Sequence, residues 1–329
     1  MTAKRLLFIG GTGVISSACV ARAVERGDEV TVLNRGRSEA RPTPAGVREL
    51  HADIHDQAAV DAAIGTEEFD AVAQFLAFTP DQVEHDLARF AGRTGQYVFI
   101  SSASAYQTPP SRLPVTESTP LRNPYWQYSR DKIACEDALV AAYRQHGFPA
   151  TIVRPSHTYD RTLLPTLGGW TDIARMRAGK PVIVHGDGTS LWTITHNTDF
   201  AVAFVGLLGL PVAVGDTFHI TGDLAPTWDQ IYAWLARAAG AEPHLVHVAS
   251  ETIAKVLPDL GPGLIGDKAH SMVFDNSKVK ALVPEFATTV PFSRGAEQIV
   301  DWYDRHPERQ TVDADLDAAF DRLAALAAG

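Results

Sequence analysis

Cysteine is scarce in this chain of 329 residues, with Cys19 and Cys135 as its only two. Both fall in stretches that read as helices, so a disulfide framework is not expected and a reducing, cytoplasmic setting suits the chain. Positive charge is also in deficit. Twenty-nine lysines and arginines stand against 39 aspartates and glutamates, a net charge of −10 that repels nucleic acid and anionic membranes. Long hydrophobic runs are missing as well. The first apolar run, Leu6-Leu7-Phe8-Ile9, ends at once in a glycine cluster and reads as a strand, not as part of a signal peptide. The uncharged stretch 201–215 is shorter than the roughly 20 residues a membrane helix needs and contains Pro211, so it predicts a buried helix followed by a turn. No internal repeat or low-complexity segment stands out. His185 and His196, around the Gly-Asp-Gly turn at 186–188, lack metal-ligand spacing with carboxylates, so no metal is expected.

What is present is an ordinary globular composition, 45% hydrophobic and 21% charged. Strand and helix signals alternate through the first half. Strands are expected at 6–9, 29–33, 47–52, 71–76, 97–101 and 151–154. Helices are expected at 14–26, from about Pro80, and across 128–144. Apolar strands separated by helices of this size predict an α/β fold, a Rossmann doubly wound parallel sheet. After Pro155 the rhythm loosens into short strands such as 182–185 and 218–221, with one helix opening at the capping box Thr227-Trp228-Asp229-Gln230. The expected organisation is a dinucleotide-binding Rossmann domain at 1–155, to which some later segments return. A smaller mixed α/β substrate lobe follows at 156–308, and a C-terminal amphipathic helix at 309–329 reads as packing.

Gly10-Gly11-Thr12-Gly13-Val14-Ile15-Ser16 lies between the first strand and the first helix. Glycines there let the backbone turn tightly and approach a pyrophosphate, whose charge the helix N-terminus stabilises. The expected cofactor contacts are Gly10, Thr12, Gly13, Val14 and Ile15, with Ser16 where a third glycine is usual. The second strand ends in Asn34-Arg35-Gly36-Arg37, with no carboxylate to hold ribose hydroxyls. Two guanidinium groups beside Asn34 favour NADP(H) over NAD(H), unless Arg35 is only a solvated loop residue. Asp53 and Ile54 are placed to cover the adenine ring, and Phe75-Leu76-Ala77 to pass beneath the cofactor.

Tyr128 and Lys132 stand four residues apart, on one face of a helix. A phenol is a poor acid–base group at neutral pH, and a neighbouring ammonium is expected to lower its pKa. Ser102, ending the fifth strand, is positioned to hydrogen-bond the oxygen of a substrate alcohol or ketone. With these residues the chain resembles an extended short-chain dehydrogenase/reductase of the NAD-dependent epimerase/dehydratase family, typified by UDP-galactose 4-epimerase. The likeness runs through the glycine turn, Asp53-Ile54, Ser101-Ser102, Tyr128-Ser129-Arg130-Asp131-Lys132, Arg154-Pro155, His196 and Asp199. It implies hydride transfer at a secondary alcohol or ketone, with Tyr128 as acid–base, Lys132 assisting, Ser102 positioning, and Pro155 and His157 near the nicotinamide. It also implies homodimers joined through a four-helix bundle that includes the catalytic helix.

Departures from the family narrow the reaction. Dehydratases resembling this chain carry an Asp-Glu pair after the hydroxyl residue, where here Ala103 and Ser104 follow Ser102. Dehydration is therefore not expected, and oxidoreduction or epimerisation remains. Nucleotide-sugar enzymes of the family carry an arginine for the diphosphate in the stretch where this chain has Trp192. Trp192 stacks on substrate or belongs to the core, and His157 meets substrate or bonds the backbone. Ser104, His157 and Trp192 are the expected substrate contacts. The readings that stand are an epimerase-like oxidoreductase of a sugar or sugar-like substrate, an NADPH-dependent reductase of a non-sugar ketone, and, remotely, a non-catalytic RNA-binding relative.

Overall fold

The computed structural model describes residues 3–36 and 40–328. Its first part runs β1 (Arg5–Ile9), α1 (Val14–Glu25), β2 (Glu29–Asn34), β3 (Arg48–His51), α2 (Gln57–Ile64), β4 (Ala71–Gln74), α3 (Pro80–Phe90), β5 (Tyr97–Ile100), α4 (Gln127–His146) and β6 (Ala150–Pro155). There follow β7 (His157–Tyr159), α5 (Trp170–Arg177), β8 (Val182–His185), β9 (Ile194–His196), α6 (Asn197–Leu207), β10 (Thr217–Ile220), α7 (Trp228–Ala238) and β11 (Leu245–Val248).

Seven strands pair in parallel in the order β10-β6-β5-β4-β1-β2-β3. Side chains alternate across each strand, so β1 feeds two cores. Leu6 and Phe8 pack with Val20 of α1 and Phe204 of α6, while Leu7 and Ile9 pack with Val60 of α2, Phe90 of α3 and Leu139 of α4. Burial on both faces is why these strands read as continuous apolar runs in the sequence. Strand order reverses at β1, so the chain ends leaving β1 and β4 diverge and open a crevice above the sheet.

The stretch 197–220 belongs to this sheet, with α6 covering one face and β10 adding an edge strand beside β6. The buried helix and turn expected at 201–215 are this α6 and the loop after it. Two small parallel sheets, β11-β8 and β7-β9, form the rest with their own cores. The capping box opens α7, where the Gln230 amide donates to Thr227 Oγ1 at 3.2 Å and the Thr227 amide to Gln230 Oε1 at 3.0 Å. The C-terminal helix, Ala314–Ala328, buries Phe320 and Leu323 against Ile183, and its Asp317 and Asp321 pair with Arg175. No described helix is long and apolar enough to cross a membrane.

Strand β4 stops two residues before the expected 76. The Gln74 side-chain carbonyl accepts the Leu76 amide at 2.7 Å, and this turns the chain out of the ladder. Helix α2, unanticipated in the sequence, starts where Asp56 caps the Ala59 amide at 3.0 Å.

The catalytic-helix candidate α4 is fixed to the sheet by a buried ion pair. Arg154 Nε on β6 donates to the two Glu136 carboxylate oxygens at 2.9 and 3.2 Å, and the Ser101 hydroxyl donates to the same carboxylate. Removing one partner of such a pair strands the other charge, which typically costs about 3–5 kcal/mol. Glu136→Ala is therefore expected to lower the free energy of urea unfolding by about that amount. A loss below about 1 kcal/mol would contradict the clamp, since exposed pairs contribute no more than that.

Candidate active site

The turn from β1 into α1 is held by sterics. Gly10 has φ +90°, and a Cβ on it would lie 2.5 Å from Leu76 Cγ. A Cβ on Gly11 would lie 2.6 Å from Val32 Cγ1. Ser16, in place of a third glycine, is buried and accepts the Gly13 amide at 2.8 Å, so its hydroxyl fixes the turn. Above the turn lies a cleft of about 500 Å³ lined by Gly10, Thr12, Gly13, Asn34, Arg35, Asp53, Ile54, Leu76 and Phe78. A glycine turn, a helix N-terminus and an open cleft on the same strand ends fit a dinucleotide.

Several expected contacts differ. Val14 and Ile15 form the first turn of α1 but put no side chain into the cleft; Ile15 packs on the core, and the Val14 carbonyl accepts Asn197 Nδ2 at 2.9 Å. Phe75 faces the core between Phe8 and Phe204, its ring 6.2 and 5.2 Å from theirs. A two-residue side-chain period explains this, for it sends Phe75 to one face and Leu76 to the other. The aromatic that does reach the cleft is Phe78, three residues on. Ala77 lines a small gap behind the cleft. Asn34 accepts the Gly36 amide at 2.6 Å and donates to Glu49 at 3.2 Å, which brings a carboxylate to the end of β2 from the neighbouring strand. Arg35 is exposed, lines the cleft and has no ion-pair partner among the described residues. Arg37 lies outside the described residues. Asp53 accepts the His55 amide at 3.0 Å.

Lys132 is almost fully buried. Its Nζ donates to the carbonyls of Ala77 at 2.8 Å and Ile100 at 2.7 Å, between the rings of Phe78 and Phe99 at 4.6 and 4.7 Å. Burial lowers its pKa to about 8. Tyr128 stands beside it, 5.8 Å from ring centroid to Nζ. Its phenol is pushed above the usual value, chiefly by burial; a hydrogen bond with Ser102 opposes the shift and the charge of Asp267 adds to it. The expected lowering by the ammonium is absent, because desolvation outweighs a charge already shared between two carbonyls. Ser102, Ser104 and Ser129 form a hydroxyl chain with steps of 2.9 and 2.8 Å.

A second cavity, about 370 Å³, opens on the other side of Tyr128. It brings together Ser102, Ser104, Tyr128, Pro155, His157 and Trp192. His157 is held neutral, its pKa lowered to about 3 by burial and then by the charge of Lys268, and its buried Nε2 meets no protein partner. Trp192 packs on Trp228 at 5.5 Å, yet its buried Nε1 is also without a partner. Trp192 is thus a core ring at the wall of this cavity, with an unused donor. Asp267 and Lys268 line the same cavity and were missed. A single Gly-Asp-Lys in an irregular segment has no periodicity to mark it. His185 and His196 are structural: His185 Nε2 pairs with the Lys268 carbonyl at 3.1 Å, and His196 Nδ1 with the Thr198 hydroxyl at 2.7 Å. No cluster of metal-binding side chains occurs among the described residues.

Residues 6–220 match the NAD dependent epimerase/dehydratase family, and the chain belongs to that family. It is 28% identical over 327 residues to the 2'-dehydrokanamycin reductase of Streptomyces kanamyceticus, covering 98% of this chain and 90% of that protein. It is also 28% identical to the chloroplast stem-loop binding protein of 41 kDa b of Arabidopsis thaliana, over 74% of this chain and 66% of that one. Among solved structures, the UDP-glucose 4-epimerase of Thermotoga maritima superposes with a TM-score of 0.73 at 18% identity, covering 92% and 99% of the two chains. The dTDP-glucose 4,6-dehydratase of Streptomyces venezuelae, with NAD bound, gives 0.73 at 22% identity, covering 92% and 98%. These likenesses show the fold. An NAD(P) cofactor is what the family expects.

The buried ammonium has a consequence for stability. The folded state holds the Lys132 proton less firmly than the unfolded chain, whose lysines titrate near 10.5. The penalty is whole below pH 8 and is relieved as pH rises from about 8 towards 10.5. The stability of Lys132→Met, which carries no charge to bury, is expected to fall relative to the parent by about 3 kcal/mol between pH 7 and pH 10.5, as read from paired denaturation curves. A difference constant across that range would contradict the assignment.

Proposed function

We propose that this member of the NAD dependent epimerase/dehydratase family is an NADP(H)-dependent reductase of a ketone on a sugar or sugar-like substrate. The observation that carries the reading is the placement of the Tyr128–Ser102 hydroxyl pair between the dinucleotide cleft and a second, separate cavity. When bound, the cofactor supplies a hydride to the substrate carbon. Everything else is the work of the chain. Ser102 hydrogen-bonds the substrate oxygen, Tyr128 gives that oxygen its proton, and Lys132 holds the ends of β4 and β5 at a fixed spacing with one N–H left for the cofactor ribose.

Burial keeps the Tyr128 phenol protonated at neutral pH, the form a reduction needs at the start of each cycle. The Arg35 guanidinium at the cleft, without an ion-pair partner among the described residues, supports a 2'-phosphate, against the carboxylates of Asp53 in the cleft and of Glu49, held by Asn34. One relative that spans nearly the whole chain is named as a reductase, while others that span 92% of it are named as dTDP-D-glucose 4,6-dehydratases. Elimination of water is disfavoured because Ala103 and Ser104 stand where an acid–base pair would be needed. Epimerisation uses the same residues, but it requires the cofactor to stay bound through turnover, whereas a reductase exchanges it in each cycle. RNA binding, named for the Arabidopsis relative, is disfavoured by the net charge of −10 beside a complete Tyr-Lys-Ser set. A homodimer paired through α4 is part of the same reading.

Two variants test it. With NADPH and 2'-dehydrokanamycin or another keto-sugar, Tyr128→Phe is expected to lower kcat by about 10²–10⁴-fold while NADPH affinity holds. Arg35→Glu is expected to weaken NADPH at least about tenfold and leave NADH nearly unchanged. Activity surviving in Tyr128→Phe would remove the proposed chemistry, and equal loss of both cofactors in Arg35→Glu would remove the NADP(H) preference.

A further inference from the structure

We propose that Asp267 is the specificity-determining residue of the substrate cavity, taking an ammonium group on the ring that is reduced, so that the substrate class is amine-bearing sugars or cyclitols. The inference rests on the reductase reading above and adds to it the identity of the group recognised.

Asp267 lies in the short π-helix Leu264–Lys268 and forms part of the cavity wall shared with Tyr128. Its carboxylate accepts no hydrogen bond from any described side chain or amide, and no described cation lies within ion-pair distance. The neighbouring Lys268 turns its Nζ away to the faces of Trp126 and Trp192, 5.9 Å from each. A desolvated carboxylate facing a cavity without a donor is an incomplete pair, and buried charges are stabilised when a partner arrives. The position of Lys268 shows in addition that these indole faces suit an ammonium.

Trp192 and His157 also wall this space, with their Nε1 and Nε2 atoms buried behind its surface. Their rings offer an apolar wall to the face of a polyhydroxylated ring, whose ammonium then meets Asp267. A nucleoside diphosphate does not fit, because Trp192 occupies the place expected of an arginine and the Asp267 carboxylate on the cavity wall repels a phosphate. The volume, about 370 Å³, is at the small end for ligand sites.

The test is an equilibrium titration of the full-length protein loaded with NADP+, using kanamycin A as the amine-bearing probe, maltose as the neutral one and UDP-glucose as the nucleotide sugar. Kanamycin is expected to bind more tightly than either. In Asp267→Asn its Kd should rise about 10- to 100-fold, with partial recovery in Asp267→Glu and unchanged NADP+ affinity, which also reports an intact fold. Kanamycin failing to bind, or binding equally to parent and Asp267→Asn, overturns the proposal, as does tighter binding of UDP-glucose. The two levels separate cleanly. Reduction of a neutral keto-sugar that needs Tyr128 but ignores Asp267 leaves the reductase and removes the amine site, whereas turnover independent of Tyr128 removes the reductase itself.

Discussion

One buried ammonium ties the site together. Lys132 Nζ is held by the last carbonyl of β5, Ile100, and by Ala77 in the loop after β4, and is flanked by Phe78 and Phe99. Burying a charge among aromatic rings costs stability, as its lowered pKa records. In exchange, three elements that meet only at the top of the sheet are fixed relative to one another. Phe78, resting on Tyr128 with centroids 6.4 Å apart, lines the cofactor cleft on its other side, so the ammonium orders both cavities.

The remaining architecture serves that meeting point. Strand reversal at β1 opens the cleft, and the glycine turn keeps its floor clear of side chains. The pair Glu136–Arg154 anchors α4 to β6, so that Tyr128 and Ser102, from different elements, come within hydrogen-bond reach. The later part of the chain walls the second cavity with Trp192, His157 and Asp267, residues separated in sequence and assembled by β7, β9 and the π-helix Leu264–Lys268. A cofactor held on one side and a ring held on the other would meet across Tyr128.

The sheet was legible because parallel strands buried on both faces leave unbroken apolar runs, and because Gly10 and Gly13 mark the turn that follows β1. Tyr128, Lys132 and Ser102 were legible through their spacing. What escaped depends on three-dimensional context. Phe75 and Phe78 look alike in sequence, and only the exit of the chain at Gln74 decides which one meets the cleft. The direction of the Tyr128 shift needed the degree of burial, which a motif does not carry. Asp267 needed the fold itself, since nothing near it in sequence distinguishes it from a solvated loop carboxylate. Glu49 reaches Asn34 only through strand pairing.

An exchangeable NADP(H) site working in reduction is tested most directly by denaturing freshly purified protein, identifying any released nucleotide, and titrating the stripped protein with NADPH and NAD+. The expected result is no stoichiometric nucleotide on release and selective binding of NADPH. Tightly held, stoichiometric NAD+ would contradict it and return the chain to epimerisation with a resident cofactor.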